Sequence, residues 1–360
     1  MITNERPSGI PPRLIVREDQ PANLESPFEH LDGLLTPNHL FYIRNHFPVP
    51  QIDARSHKLS VSGAVRSPFT ISCEELRAMN SETRTATLEC AGNGRVFLVP
   101  PVAGVQWQSG AVGTAEWTGV PLSALLDRAG IRNEACEIVF EGADKGVPKE
   151  DPPPGEITYA RSIPVGKICD VLVAYAMNGE DLSPDHGYPI RALVPGHYGM
   201  ASVKWLSAIH VTEAPFQGYF QTTDYSYWKE NGTGSPERVP LSELCLKSQI
   251  SRPEIDALIA AGSSYTVRGA AWSSCHIDSV EVSADDGNTW HAAQFLDPAQ
   301  RGVWRRWQFE WQVPATPGVR SLRSRARDSE GNLQPDQHDN RYGSYVIHHV
   351  LPVRVIIQDL

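Results

Sequence analysis

The chain has 360 residues, 41% hydrophobic and 21% charged, which suits a folded protein of about two domains rather than a disordered one. Lysine and arginine total 32 against 42 aspartate and glutamate, a formal charge of −10. That balance argues against a nucleic-acid binder or a basic membrane-surface protein, both of which need cationic patches. It leaves room for a small anionic substrate, because a pocket needs only a few local charges.

Residues 1–40, rich in proline and isolated charges, read as an irregular N-terminal arm. The opening MITNERPSGIPPRLIVRED carries neither an apolar signal core nor a twin arginine, so a cytoplasmic location is expected. KLSVSGAVRSPFTI (58–71) alternates like two strands broken at Gly63 and Pro68. Cys73 to Met79 predicts a short helix with Ser72 as its N-cap. Thr85 to Cys90 predicts a strand that runs into the glycine turn AGNG. Val120 to Ala129 has helical apolar spacing and a stop at Gly130. Glu137 to Phe140 reads as a strand, DPPPG (151–155) as loop, and Val171 to Met177 as a buried strand ending at Asn178-Gly179.

Near residue 235 the character changes, and short strands follow one another with turn signals between them. In WRRWQFEWQV, Trp307, Phe309 and Trp311 alternate with polar residues, which predicts one buried strand face. The pattern suggests a β-sandwich of immunoglobulin type. The expected organisation is an arm over 1–40, a first domain over 41–235 and the sandwich over 236–360. No apolar run reaches the length of a membrane span.

Six cysteines are scattered without a CxxC pair, which argues against a disulfide framework or zinc ribbon. Cys90 is the sharpest candidate: a thiol at a rigid strand end beside a flexible turn suits a soft-metal ligand or a nucleophile. Arg95 nearby favours the thiolate, and a buried structural cysteine is the competing reading. FYIRNH (41–46), HGYPIR (186–191), LVPGHYGM (193–200) and ASVKW (201–205) each place glycine, proline or an apolar run beside a hydrogen-bonding cation. Such stretches suit contacts to a phosphate or carboxylate, although each alone reads better as a surface loop with a solvated charge. GxGxxG, P-loop and HExxH patterns are not found in the sequence.

Taken together and in order, LECAGN, WQSGAVGTAEW (107–117), HGYPIR, SVKWL and GYFQTTDY (218–225) resemble the sulfite oxidase family of molybdenum enzymes. The likeness runs from Phe41 to the C-terminus, and SADDGNTW (283–290) is similar to a turn of that family's second domain. It implies an α+β fold, with a molybdopterin-binding domain followed by an immunoglobulin-like dimerisation domain, and hence a homodimer. It also implies molybdenum held by a molybdopterin dithiolene and by the Cys90 thiolate. The pterin would contact Tyr42, Ile43, Arg44, Asn45, His46, Asp144, Lys145, Gly146, His186, Arg191, Ser202, Val203 and Lys204, with Arg191 and Lys204 on its phosphate.

Arg44, Arg95, Trp107 and Tyr225 match positions that line the family's substrate pocket. Ala103 stands where animal enzymes carry a lysine, and Arg341 lies in HDNRYG, which departs from the family's Trp-Asn pattern. The implied activity is oxidation of sulfite to sulfate, with electrons passing to oxygen or a separate protein. No haem is expected, since CxxCH is absent. The alternatives are a related enzyme that reduces nitrate or an S-oxide, and a non-catalytic scaffold in which Cys90 is structural.

Overall fold

The computed structural model describes residues 13–149, 152–230, 232 and 234–359; the first twelve residues of the arm and Asp151 of the DPPPG loop lie outside them. The chain folds mostly as strands, with three short α-helices among the described residues. The first of these, Cys73–Arg77, begins where Ser72 and Glu75 form a reciprocal capping box: Glu75 N donates to Ser72 Oγ, and Ser72 N to Glu75 Oε2. The second, Leu122–Ala129, ends at Gly130, whose positive φ of 69° supports the left-handed cap. Both agree with their sequence signals.

Two five-stranded sheets form the first half. One runs Phe69–Ser72, Lys58–Gly63, Leu206–Thr212, Glu137–Gly146, Ile157–Pro164, with a single parallel pairing between Lys58–Gly63 and Leu206–Thr212. The other runs Glu180–Asp181, Leu172–Met177, Val112–Pro121, Glu82–Glu89, with Arg191–Leu193 also on Leu172–Met177. Glu82–Glu89 delivers Cys90 at its end. Asn178 and Gly179, both at positive φ, make the tight turn expected after Met177.

After residue 240 a four-stranded sheet (Lys247–Arg252, Ser264–Trp272, Arg305–Gln312, Gln294–Phe295) faces a five-stranded one (Ala257–Ala260, Val353–Gln358, Gly318–Asp328, Ile277–Ser283, His291–Ala292). Ile250, Val267, Trp307 and Trp311 of the first pack in one apolar cluster with Val280, Leu322, Val355 and Ile357 of the second. Trp307 and Trp311 are buried and Phe309 packs beside them, as the alternation predicts.

The arm differs from its sequence reading. Ile15–Glu18 pairs with Asn23–Glu25, and Phe28 inserts between Trp272 and Trp304 with ring centroids 6.3 and 6.5 Å away. A single aromatic can anchor an otherwise polar segment, and composition does not show where it will be received. Trp272, Trp304 and Val346 join the core cluster of the first half, so the two halves share buried contacts.

Candidate molybdopterin site

Cys90 is fixed by its backbone: its N–H donates to Ala111 O (2.9 Å), and its carbonyl accepts from Asn93 N (2.9 Å). Gly92 of the turn and Gly104 beyond it make room for Arg95. A Cβ on Gly92 would stand 2.4 Å from Arg95 Nη2, and one on Gly104 2.6 Å from Nη1. The guanidinium donates to Ser344 O (3.0 Å) and Val105 O (2.8 Å) and lies over the Tyr345 ring.

Cys90 opens onto a cavity whose empty space, part of it open to solvent, amounts to about 680 Å³. Tyr42, Arg44, Asn45 and His46 form one wall, and Asp144, His186, Arg191, Ser202, Val203 and Lys204 contribute to the rest. Asp144 turns inward because the pairing of Glu137–Gly146 with Ile157–Pro164 shifts register between Glu141 and Lys145, and such a shift re-aims side chains. Tyr42 approaches the backbone closely, and a Cβ on Gly199 would stand 2.6 Å from its hydroxyl.

The cavity concentrates cations. Arg191 donates to His186 O and Ser202 O, both at 2.9 Å, and Lys204 donates to Asp185 O at 2.8 Å and to Asn45 Oδ1. Burial, then repulsion from Arg191, lowers Lys204 to about 7; burial lowers Arg191 to about 10. Burial raises Asp144 to about 7 against the pull of Lys204. His186 falls to about 4 through burial and the charges of Lys204 and Arg191, and His46 is held well below its ordinary value, first by burial and then by Arg44. His46 Nε2 is 2.7 Å from Tyr225 Oη, whose own pKa is raised by burial.

These features fit an anionic cofactor. Repelling cations gain from a phosphate between them, and the buried Asn45 Nδ2 has no hydrogen-bond partner. Among the described residues no group of three or more His, Cys, Asp or Glu could hold a metal ion. A metal at Cys90 would therefore take its other donors from a cofactor, and a soft thiolate suits a dithiolene-bound molybdenum.

Not every expected residue reaches the cavity. Arg341 lies on the surface, its side chain 59% exposed and paired with Asp339, because the turn at Asn340–Tyr342 aims it outward. Lys145 is 62% exposed and pairs with Glu156 at 3.1 Å, while Gly146 packs on Phe47. Ile43 is buried through a bridge to Leu24. Arg95 and Trp107 are buried outside the lining, Trp107 in the cluster that holds Cys90 and Tyr42. Tyr159 and Asp185 also line the cavity; the sequence marks Asp185 only by its neighbour His186 and Tyr159 not at all.

Comparison with known proteins agrees with this geometry. Residues 46–220 match the family described as oxidoreductase molybdopterin binding domain, and residues 238–345 that described as Mo-co oxidoreductase dimerisation domain. The chain is 37% identical to sulfite oxidase of Gallus gallus, over 91% of this chain and 75% of that protein. It is 35% identical to mitochondrial sulfite oxidase of Mus musculus over 90% of its length, spanning 62% of that relative. Nitrate reductase (NADPH) of Phytophthora infestans is 34% identical, with 38% of it covered. The sulfane dehydrogenase SoxCD of Paracoccus pantotrophus shares the fold at TM-score 0.82 and 26% identity, over 98% of this chain and 92% of that one. With both halves matched and a relative of this identity covered over three quarters of its length, the chain belongs to the sulfite oxidase family of molybdopterin-dependent oxidoreductases.

Proposed function

We propose that the protein oxidises sulfite to sulfate at a molybdenum–molybdopterin centre held in the Cys90 cavity. The carrying observation is a single buried cysteine, Cys90, facing a pocket of mutually repelling cations. Bound there, the cofactor supplies oxygen-atom transfer and takes up two electrons, so that sulfite and water yield sulfate, two protons and two electrons for a separate acceptor. The protein binds and orients. Cys90 would ligate the metal; Arg191, Lys204, Ser202 and Asn45 would hold the pterin and its phosphate. Arg44, which lines the cavity with Tyr225 and donates to Asn23 Oδ1 at 3.3 Å, would orient the anion. Tyr225, in contact with a neutral His46, would hold a proton at its hydroxyl near the reacting oxygen.

Arg95 supports this site from behind, filling the glycine slot and fixing the segment at Ser344. The α+β class and an immunoglobulin-like character for the sandwich remain part of this reading, as do a homodimer through residues 238–345 and the boundary near residue 235. The similarity to nitrate reductases keeps reduction of an oxyanion as a second reading. No helix among the described residues is long and apolar enough to cross a membrane.

The test is protein produced in a molybdopterin-competent host, analysed for molybdenum and assayed with sulfite and an artificial acceptor beside viologen-driven reduction of nitrate and sulfoxides. Sulfite turnover lost in Cys90→Ala supports the reading. A fully metallated sample inert toward sulfite refutes it.

A further inference from the structure

Lys247 opens the first strand of the sandwich, yet its side chain is only 1% exposed. It reaches into the other half of the molecule, where Nζ donates to Glu89 Oε1 at 3.0 Å and to Asn93 O at 3.1 Å. Glu89 directly precedes Cys90. Its second oxygen accepts from Trp272 Nε1 at 2.8 Å, also from the sandwich. Asn93 donates through Nδ2 to Glu89 Oε1 (3.0 Å), accepts at Oδ1 from Ala111 N (3.1 Å), and bonds through its own N–H to the Cys90 carbonyl (2.9 Å). Both residues flanking the thiol turn are therefore held by one buried charge pair. Val346 N adds a bond to Ala91 O at 2.7 Å.

Stability alone does not account for such a pair. An apolar replacement of a buried ion pair is often as stable, whereas charge and directed hydrogen bonds fix geometry and field. We propose that Lys247 is a positioning residue for the Cys90 thiolate, acting through Glu89 and Asn93, and that the Lys247–Glu89 pair sets the electrostatic field at the metal ligand. The inference rests on the reading of Cys90 as the molybdenum ligand. It gives the sandwich a part in tuning the centre, besides any part in association.

Opposite single changes of charge test it. Lys247→Met removes the ammonium but leaves the Glu89 carboxylate its donors Trp272 Nε1 and Asn93 Nδ2, so negative charge stands beside the thiolate, favours the oxidised metal and lowers its potential. Glu89→Gln is nearly isosteric, keeps an acceptor for Trp272 and leaves the ammonium in excess, which raises the potential. The double variant is neutral again and should return toward the parent. The readouts are molybdenum content, the midpoint potential from a redox titration followed by the paramagnetic Mo(V) signal, and the g-values of that signal.

Shifts of opposite sign in folded, metal-loaded single variants support the proposal. Parental potentials and g-values in both, or shifts of one sign, overturn it, because a purely structural pair would lower only the unfolding temperature. Should Lys247→Met fail to fold, Glu89→Gln decides alone: an upward shift supports the proposal and none overturns it. A parent that binds no molybdenum overturns the reading of Cys90, and this inference with it.

Discussion

Replacing Lys204 by methionine separates cofactor binding from folding. The methionine keeps most of the volume and removes the charge. In the cofactor-free protein, burial and the neighbouring Arg191 hold Lys204 near 7, far below the ordinary lysine value. A lysine lowered on folding contributes fully above its unfolded pKa of about 10.4, and that contribution is lost as pH falls through about 7. The full shift corresponds to a cost of at most about 5 kcal/mol at neutral pH. Methionine removes that cost but orphans two acceptors, Asp185 O and Asn45 Oδ1, at roughly 1–3 kcal/mol each. Asp144, already raised to about 7 mainly by burial, then takes up a proton rather than standing as a lone buried charge. The terms nearly cancel, so the cofactor-free variant should unfold within about 2 kcal/mol of the parent at pH 7. Its advantage over the parent should grow as pH falls from 10 to 7. Under the proposed function the holoprotein behaves differently: the proposed charge-assisted bond from Lys204 to the pterin phosphate would be lost, roughly 1.5–3 kcal/mol, which should weaken cofactor retention about 10- to 100-fold. Denaturant unfolding of the cofactor-free form, with molybdenum and pterin content after dialysis, measures both. Destabilisation well beyond 2 kcal/mol with undiminished retention would refute the reasoning and make Lys204 a structural residue.

Two further outcomes follow from the same cavity and its surroundings. His186, lowered to about 4 by burial and by Lys204 and Arg191, contributes fully above about pH 6.5, and that stability is lost as pH falls through 4. Cofactor-free protein should lose up to roughly 3 kcal/mol over this window, and His186→Gln should flatten the slope; parallel curves for the two proteins would contradict this. Arg341→Ala breaks only an exposed pair with Asp339, so the unfolding temperature and the KM for sulfite should stay near parental values. A tenfold rise in KM would return Arg341 to the substrate pocket.

Local features were legible in the sequence where neighbours along the chain create them. Ser72 and Glu75 cap each other three residues apart, Gly130 supplies a left-handed stop, and the alternation around Trp307 marks a buried face. Cys90 stood out because a strand end meets glycines. Lys247 did not, since KSQISR reads as a polar edge until tertiary packing buries five of its six residues. Lys145 and Arg341 failed in the opposite direction. A motif gives a position in the chain, whereas the direction of a long side chain depends on a register shift or a turn whose geometry the residue types leave open. Phe28 likewise needs Trp272 and Trp304, some 240 residues or more away, before its burial has a cause.

The cysteine strand draws its rigidity from both halves of the molecule. Thr87 is bonded through its N–H to Gly302 O (2.9 Å) and through Oγ1 to Trp304 N (2.7 Å). Glu89 is held by Lys247 and Trp272, Ala91 by Val346, and Arg95 by Ser344. Successive anchors thus fall on alternate residues from 87 to 91, with one more at 95. Within Glu82–Glu89 the side chains alternate between faces, so Thr87 and Glu89 share the face turned toward the sandwich, while Ala91, beyond the strand's end, is held through its carbonyl. Leu88 lies on the other face, and it lines the cavity together with Cys90 and Ala91 just past the strand's end. At roughly 1 kcal/mol net for each bond, these contacts together amount to several kcal/mol that hold the thiol's backbone in register. The end of a single strand is therefore the place where one half of the protein holds the segment that carries Cys90 while the other half builds the pocket around it.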